Sequence, residues 1–236
     1  MPAPSQADQL RQLALGIVWN AEATLEQYVP GPNADALAAL RGDLGDGAAP
    51  LLLYGGRGSG KTHLLQAACR DLAADGSSYV PLASARDLSP ELLQGLEMLP
   101  LVALDDLQAV AGDRLWEEAI FHLFNRLQAR GGRLLMAGRE SPAHLPLLLP
   151  DLVSRLQWGL VYRLQPLAEA DLLLALQRRA RQRGLELPHE TAQYLLRRVP
   201  RDSHTLFGLL DVLDRAALAA QRRLTVPFVR QVLDVS

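Results

Sequence analysis

The stretch LLLYGGRGSGKTHLL, residues 51–65, constrains this chain more than any other. Its apolar opening reads as a buried strand, its glycines permit a tight turn, and Lys61 begins a helical pattern. Gly55-Gly56-Arg57-Gly58-Ser59-Gly60-Lys61-Thr62 follows the spacing G-x-x-x-x-G-K-[ST], with the strand before it and the helix after it that this pattern requires. Such a loop lets backbone N–H groups converge on phosphate oxygens, and the helix N-terminus adds partial positive charge. Lys61 then reaches the terminal phosphates of a nucleotide, ADP or ATP, and the Thr62 hydroxyl faces Mg²⁺.

Composition sharpens this reading at one point. Of the 24 basic residues, 23 are Arg, and Lys61 is the only lysine in the sequence. A compact ammonium on a flexible stem suits a phosphate where a planar guanidinium fits badly.

Around this loop, strand and helix patterns alternate. They run as LLLY, a helix near 61–74, SYVPL, a helix near 89–98, LVALDD, a helix near 114–129, RLLMAG, a short segment near 150–157 and LVYRLQPL. That alternation predicts an α/β domain with a parallel sheet covered on both faces. Beyond Pro166 only helices are expected, near 168–183, 189–198, 203–221 and 227–234, with stops at Gly184, Pro188 and Pro200. The expected organisation is a mobile segment over 1–18, an α/β domain over 19–165 and a helical lid over 166–236. The lid's 11 Arg against 8 acids read as a solvated surface.

A length of 236 residues, 49% hydrophobic content and a net charge of −2 fit one or two globular domains. No apolar run reaches the roughly 20 residues of a bilayer span, and no signal-peptide pattern opens the chain, so a cytoplasmic protein with no membrane partner is expected. Cys69 is the only cysteine and reads as a core thiol, and the five histidines show no ligand spacing. A structural metal is not expected.

LVALDDL, residues 101–107, is an apolar strand ending in two carboxylates, about 45 residues after the loop. In a parallel sheet Asp105 and Asp106 fall at the carboxyl end, beside the phosphates. Asp105 is placed to hold Mg²⁺ with Thr62, and Asp106 to orient an attacking water.

The phosphate loop, the Asp-Asp strand, Ser154-Arg155 after a fourth strand and the helical tail together resemble the AAA+ ATPases and, within them, the DnaA replication-initiator group. LPDLVSRLQWG and LTVPFVRQVL carry the likeness to that group, and the similarity extends to homologues that inactivate the initiator. The resemblance implies that Arg155 is an arginine finger entering a neighbouring subunit's ATP site. It further implies that Tyr28 and Val29 contact the adenine, with His63 beside the loop. QLALGI, residues 12–17, resembles the motif by which such homologues bind the DNA polymerase sliding clamp, with Leu13 and Leu15 in an apolar groove and Gln12 at its edge. Implied partners are therefore the DnaA initiator and the clamp, at the replisome; self-association through Arg155 stays open.

Two departures bear on catalysis. Ala137 and Arg139 stand where DnaA relatives carry polar or acidic sensor residues, and His204 stands where the lid would supply a sensor arginine. Both changes remove groups that would stabilise the reacting phosphate, so weak hydrolysis by this chain alone is expected. No basic recognition helix follows the lid pattern, which argues against sequence-specific DNA binding. The competing expectation is an autonomous AAA+ motor or loader working through Lys61, Asp105 and Asp106.

Overall fold

A computed structural model describes residues 23–42, 49–73, 76–85, 89–199 and 203–235. Gln12, Leu13 and Leu15 of the clamp-like stretch lie outside the described residues. The chain divides into two compact units, one dominated by residues 33–56 and 61–164, the other comprising 26–32, 57–60 and the segment from Gln165 onward.

In the first unit, α1 (Ala34–Arg41) precedes β1 (Leu51–Tyr54), the glycine loop and α2 (Lys61–Asp71). Then come β2 (Ser77–Pro81), the single turn α3 (Leu82–Ala85), β3 (Leu101–Asp105), α4 (Arg114–Ala129), β4 (Arg133–Gly138), α5 (Pro150–Trp158) and β5 (Leu160–Arg163). The strands form one sheet in the order β2-β3-β4-β1-β5, and every pairing is parallel. The central strands β1, β3 and β4 are almost wholly buried and leucine-rich, as a sheet covered on both faces demands. Because all strands point one way, Tyr54, Asp105 and Gly138 end at the same edge. That edge is where open parallel sheets bind ligands.

Register at β5 depends on one glycine. The Leu160 N–H donates to the Pro50 carbonyl at 2.8 Å. A Cβ on Gly159 would stand 2.2 Å from the Pro50 oxygen, so no other residue lets the strand approach that closely.

The helix expected near 89–98 is instead two short 3₁₀ turns, Pro90–Leu93 and Leu96–Met98. Gln94 is extended and Gly95 has φ +85°, so the helical hydrogen-bond ladder cannot cross them. Leu93 and Leu96 still reach the core, joining Leu104, Trp116, Ile120, Phe124, Met136 and Leu156.

The second unit is helical beyond residue 165: α6 (Glu169–Gln182), α7 (His189–Arg198), α8 (Ser203–Ala220) and α9 (Val226–Val235). Leu172, Leu176, Leu195, Leu206, Leu210 and Val229 form its core at helical spacing. Arg183, at the C-cap of α6, pairs with Asp211 of α8, and the Arg179 guanidinium lies 4.8 Å from the Phe207 ring centroid. The parallel-sheet α/β fold with a C-terminal helical lid is thus the one the sequence patterns predict.

Candidate functional site

The glycine loop leaves β1 through Gly55, whose N–H donates to the Gly138 carbonyl at 3.3 Å. Gly58 and Gly60 have φ +76° and +94°, conformations that L side chains rarely adopt. At Gly60 a Cβ would also meet Cε2 of Tyr28 at 2.8 Å. Tyr28 and Val29 are themselves buried, at 8% and 5% exposure. Arg57 and Gly56 are exposed, and nothing lies within 4 Å of where a Gly56 Cβ would stand, so the backbone there is open to an incoming group. Ser59 is buried.

Lys61 is only 8% exposed, and its ammonium donates to the Gly55 and Gly56 carbonyls at 2.8 Å each. Burial lowers its pKa; Asp105 and Asp106 raise it in opposition, and Arg139 adds a smaller lowering. A buried cation on the first residue of α2 is placed to favour an anion over water. His63, two residues further along the helix, has Nε2 3.0 Å from the Thr24 carbonyl oxygen and so ties α2 to the backbone at Thr24.

Asp105, at 1% exposure, anchors the other half of the site. Its Oδ2 accepts from the Thr62 hydroxyl at 2.6 Å and from the Tyr79 hydroxyl at 3.0 Å, while Oδ1 accepts from the Asp106 N–H at 2.9 Å. Desolvation raises its pKa, with Asp106 adding to that, against the lowering by the Thr62, Tyr79 and Asp106 N–H hydrogen bonds. Thr62 is exposed, so a hydroxyl and a carboxylate oxygen, both hard donors, meet at the solvent edge of the cluster. That donor chemistry fits Mg²⁺, which takes one or two protein oxygens and completes its shell with phosphates and water. Among the described residues no cluster of three or more His, Cys, Asp or Glu could hold a metal by itself.

Asp106 has left-handed backbone angles, φ +60° and ψ +49°. Its Oδ1 accepts from Gln108 Nε2 at 2.6 Å, and Gln108 Oε1 accepts in turn from the Arg139 N–H at 3.0 Å. One amide therefore bridges the carboxyl ends of β3 and β4. Ala137 is buried in β4 opposite Leu53, and the exposed Arg139 follows it, so neither offers a neutral polar group at this edge. His204 lies in the first turn of α8.

Arg155 sits apart from this grip in sequence, on α5, where it is exposed. Its guanidinium lies 5.8 Å from the centroid of the Phe124 ring of α4. Among the described residues no carboxylate pairs with it. Trp158, one turn further, is 58% exposed, unusual for so large an apolar side chain.

Tyr79 and Gln108 join the site without any sequence motif that marks them. Tyr79 pairs with Ala103, two residues before Asp105, so the parallel register sets the phenol diagonally against the carboxylate on one sheet face. Cys69 is buried, with its thiol pushed up to about 12, and is unsuited to nucleophilic chemistry. Among the described residues no helix is long and apolar enough to cross a membrane.

Comparison with known proteins bears on the family and the fold. The family model of the bacterial DnaA ATPase domain matches residues 19–80 and 84–163, more than half the chain. That of the Hda lid domain matches residues 169–233. Domain III of the Thermotoga maritima replication initiation protein DnaA superposes with a TM-score of 0.76 at 24% identity, over 92% of this chain and 98% of its own. AMPPCP-bound DnaA from Aquifex aeolicus gives 0.67 at 25% identity, over 84% of this chain and 66% of that one. The Thermotoga maritima RuvB branch-migration motor gives 0.63 at 17% identity, over 98% and 69% respectively, a likeness of fold. The chain spans about two thirds of that Aquifex protein and nearly all of the isolated Thermotoga domain. With both parts of the chain accounted for, it belongs to the bacterial DnaA ATPase family, as an Hda-like, DnaA-homologous AAA+ protein.

Proposed function

We propose that this protein is a negative regulator of replication initiation that acts on the ATP held by a DnaA initiator. In this reading Gly55 to Thr62 hold ADP or ATP, Lys61 faces the terminal phosphates, and Thr62 with Asp105 holds Mg²⁺. The similar Aquifex protein binds AMPPCP, an adenine nucleotide analogue, which supports the choice of base. Tyr28 and Val29 contact the adenine. Bound nucleotide, with its metal, supplies charge and order to this loop; the chain's own Arg155 supplies the chemistry in trans. QLALGI tethers the protein to the sliding clamp on DNA.

The observation that carries this reading is Arg155: an exposed arginine on a short, well-packed helix, backed by an aromatic ring and pairing with no carboxylate among the described residues. An arginine that reaches a partner's phosphoryl group must be free to leave its own surface, and its planar fork suits phosphate oxygens. The measurement is ATP hydrolysis by ATP-loaded DnaA with clamp and DNA, with and without this protein. Arg155→Ala should abolish the stimulation, a loss of roughly 10³-fold or more if the finger acts as in other trans-activated NTPases. Nucleotide and clamp binding should be retained. Unchanged stimulation would sink the proposal.

A second reading, an autonomous AAA+ ATPase, draws support from the intact Thr62–Asp105 pair with Asp106 beside it. Steady-state hydrolysis by the protein alone, with Lys61→Ala as the blank, separates the two. The regulator reading expects rates near that blank.

A further inference from the structure

Arg155 can act on a partner only if α5 presents it at a fixed height and rotation, and the sequence gives α5 a weak start. Leu149 occupies the N-cap, one of the poorest residues there, and caps nothing with its side chain; Pro150 follows. The hold comes from elsewhere. Glu117 of α4 is fully buried, and its carboxylate accepts from the Leu148 N–H at 2.8 Å and the Leu149 N–H at 2.8 Å. Its other oxygen accepts from the Gly112 N–H at 2.8 Å, in the loop that follows the Asp105–Asp106 strand end.

Phe124, the ring beneath Arg155, lies two turns further along α4. Seven residues at helical rise separate Glu117 from Phe124, about 10.5 Å, and six separate Leu149 from Arg155, about 9 Å. Seven residues also return almost to the same helical face, so Glu117 and Phe124 project toward α5 together. The two helices therefore run side by side in the same direction, joined at two matched points. The carboxylate pins the start of α5 against sliding, and the ring fixes where the guanidinium rests.

From this two-point attachment, and resting on the trans role of Arg155 above, we propose that Glu117 and Phe124 are positioning residues for Arg155. Glu117 touches no nucleotide in this scheme. It sets the axial position of α5 and, through Gly112, registers that helix against the loop behind Asp106. A displacement of about 1 Å at a reacting group can cost on the order of 10²-fold in rate, which is the loss expected if the pin is removed.

The test uses the full chain with ATP-loaded DnaA, clamp and DNA. Glu117→Gln keeps the side chain's shape but turns an acceptor into a donor facing N–H groups. It should reduce stimulated hydrolysis roughly 10²-fold. It should also speed hydrogen exchange at the amides of residues 148–153, and leave the protein's own affinity for a fluorescent ATP analogue within about threefold. Phe124→Leu, which retains an apolar core residue, should cut stimulation by a smaller factor with exchange at 148–149 unchanged; it serves if Glu117→Gln does not fold. Faster exchange with undiminished stimulation would overturn the positioning role, as would parallel losses of stimulation and own-site affinity in both variants. Arg155→Ala, run alongside, separates the two ideas: if it leaves stimulation intact, the finger itself is refuted, whereas its loss together with normal Glu117→Gln activity refutes only the positioning.

Discussion

Removing one oxygen atom tests the electrostatics of the cluster around Asp105. Tyr79→Phe keeps the ring in the core and deletes the hydroxyl that donates to Asp105 Oδ2 at 3.0 Å. Asp105 is 1% exposed, so water has no easy route to replace the lost donor. A hydrogen bond to a charged acceptor is worth about 1.5–3 kcal/mol, and here the upper half of that range applies because the carboxylate stays buried. Gln66, 3% exposed and hydrogen-bonded to the same phenol, loses a partner as well. The expected destabilisation is about 2–3 kcal/mol, which for a unit of this size lowers Tm by roughly 5–12 °C. Thermal and urea unfolding followed by circular dichroism read this directly. Mg²⁺ titration of nucleotide affinity should show the metal dependence weakened, because Asp105 has lost a group that favoured its charged form. A variant with Tm within 2 °C of the parent, at unchanged Mg²⁺ dependence, would refute the claim that this phenol supports the carboxylate.

Asp105→Asn should separate stability from function. Desolvation raises the Asp105 pKa in the folded state, so the native protein binds more protons than the unfolded chain between the two values, and the stability linked to this group falls as pH rises through the folded pKa. Without metal or nucleotide, the variant should therefore gain stability on the parent near neutral pH and lose that advantage toward pH 4, as urea titrations at both ends would show; its Mg²⁺-dependent nucleotide binding should disappear. Arg133→Ala removes two 2.6 Å hydrogen bonds from a guanidinium to the Ala39 and Leu40 carbonyls at the end of α1. The expected loss is about 2–4 kcal/mol in unfolding free energy, with nucleotide affinity measured by fluorescence titration unchanged.

How much of this was legible beforehand follows from the range of the interactions. The strand, glycine loop and helix over 51–71 are written in adjacent residues, as are the carboxylates that end β3, so pattern reading finds them. The helix expected near 89–98 failed because apolar spacing there was compatible with a helix while Gly95 and Pro90 favoured turns. Tyr79 depends on strand register, Gln108 on the distance between two strand ends, and Glu117 on where a later loop passes. In a linear reading Glu117 is an acid in a helix's first turn, where a surface residue would serve the helix dipole equally well. Only the fold reveals that it is buried and answers backbone donors from two loops.

The solitary lysine has a further consequence, for chemistry done to the protein instead of by it. Within these 236 residues every ε-amine reaction, whether acylation, reductive alkylation or isopeptide attachment, converges on the one Nζ held by Gly55 and Gly56. Burial lowers its pKa, which increases the share of free base, while the same burial restricts access. Once the α-amine is told apart by peptide mapping, ε-amine labelling of this chain is therefore a single-atom readout of its glycine loop, and the arginines elsewhere leave the reagent silent.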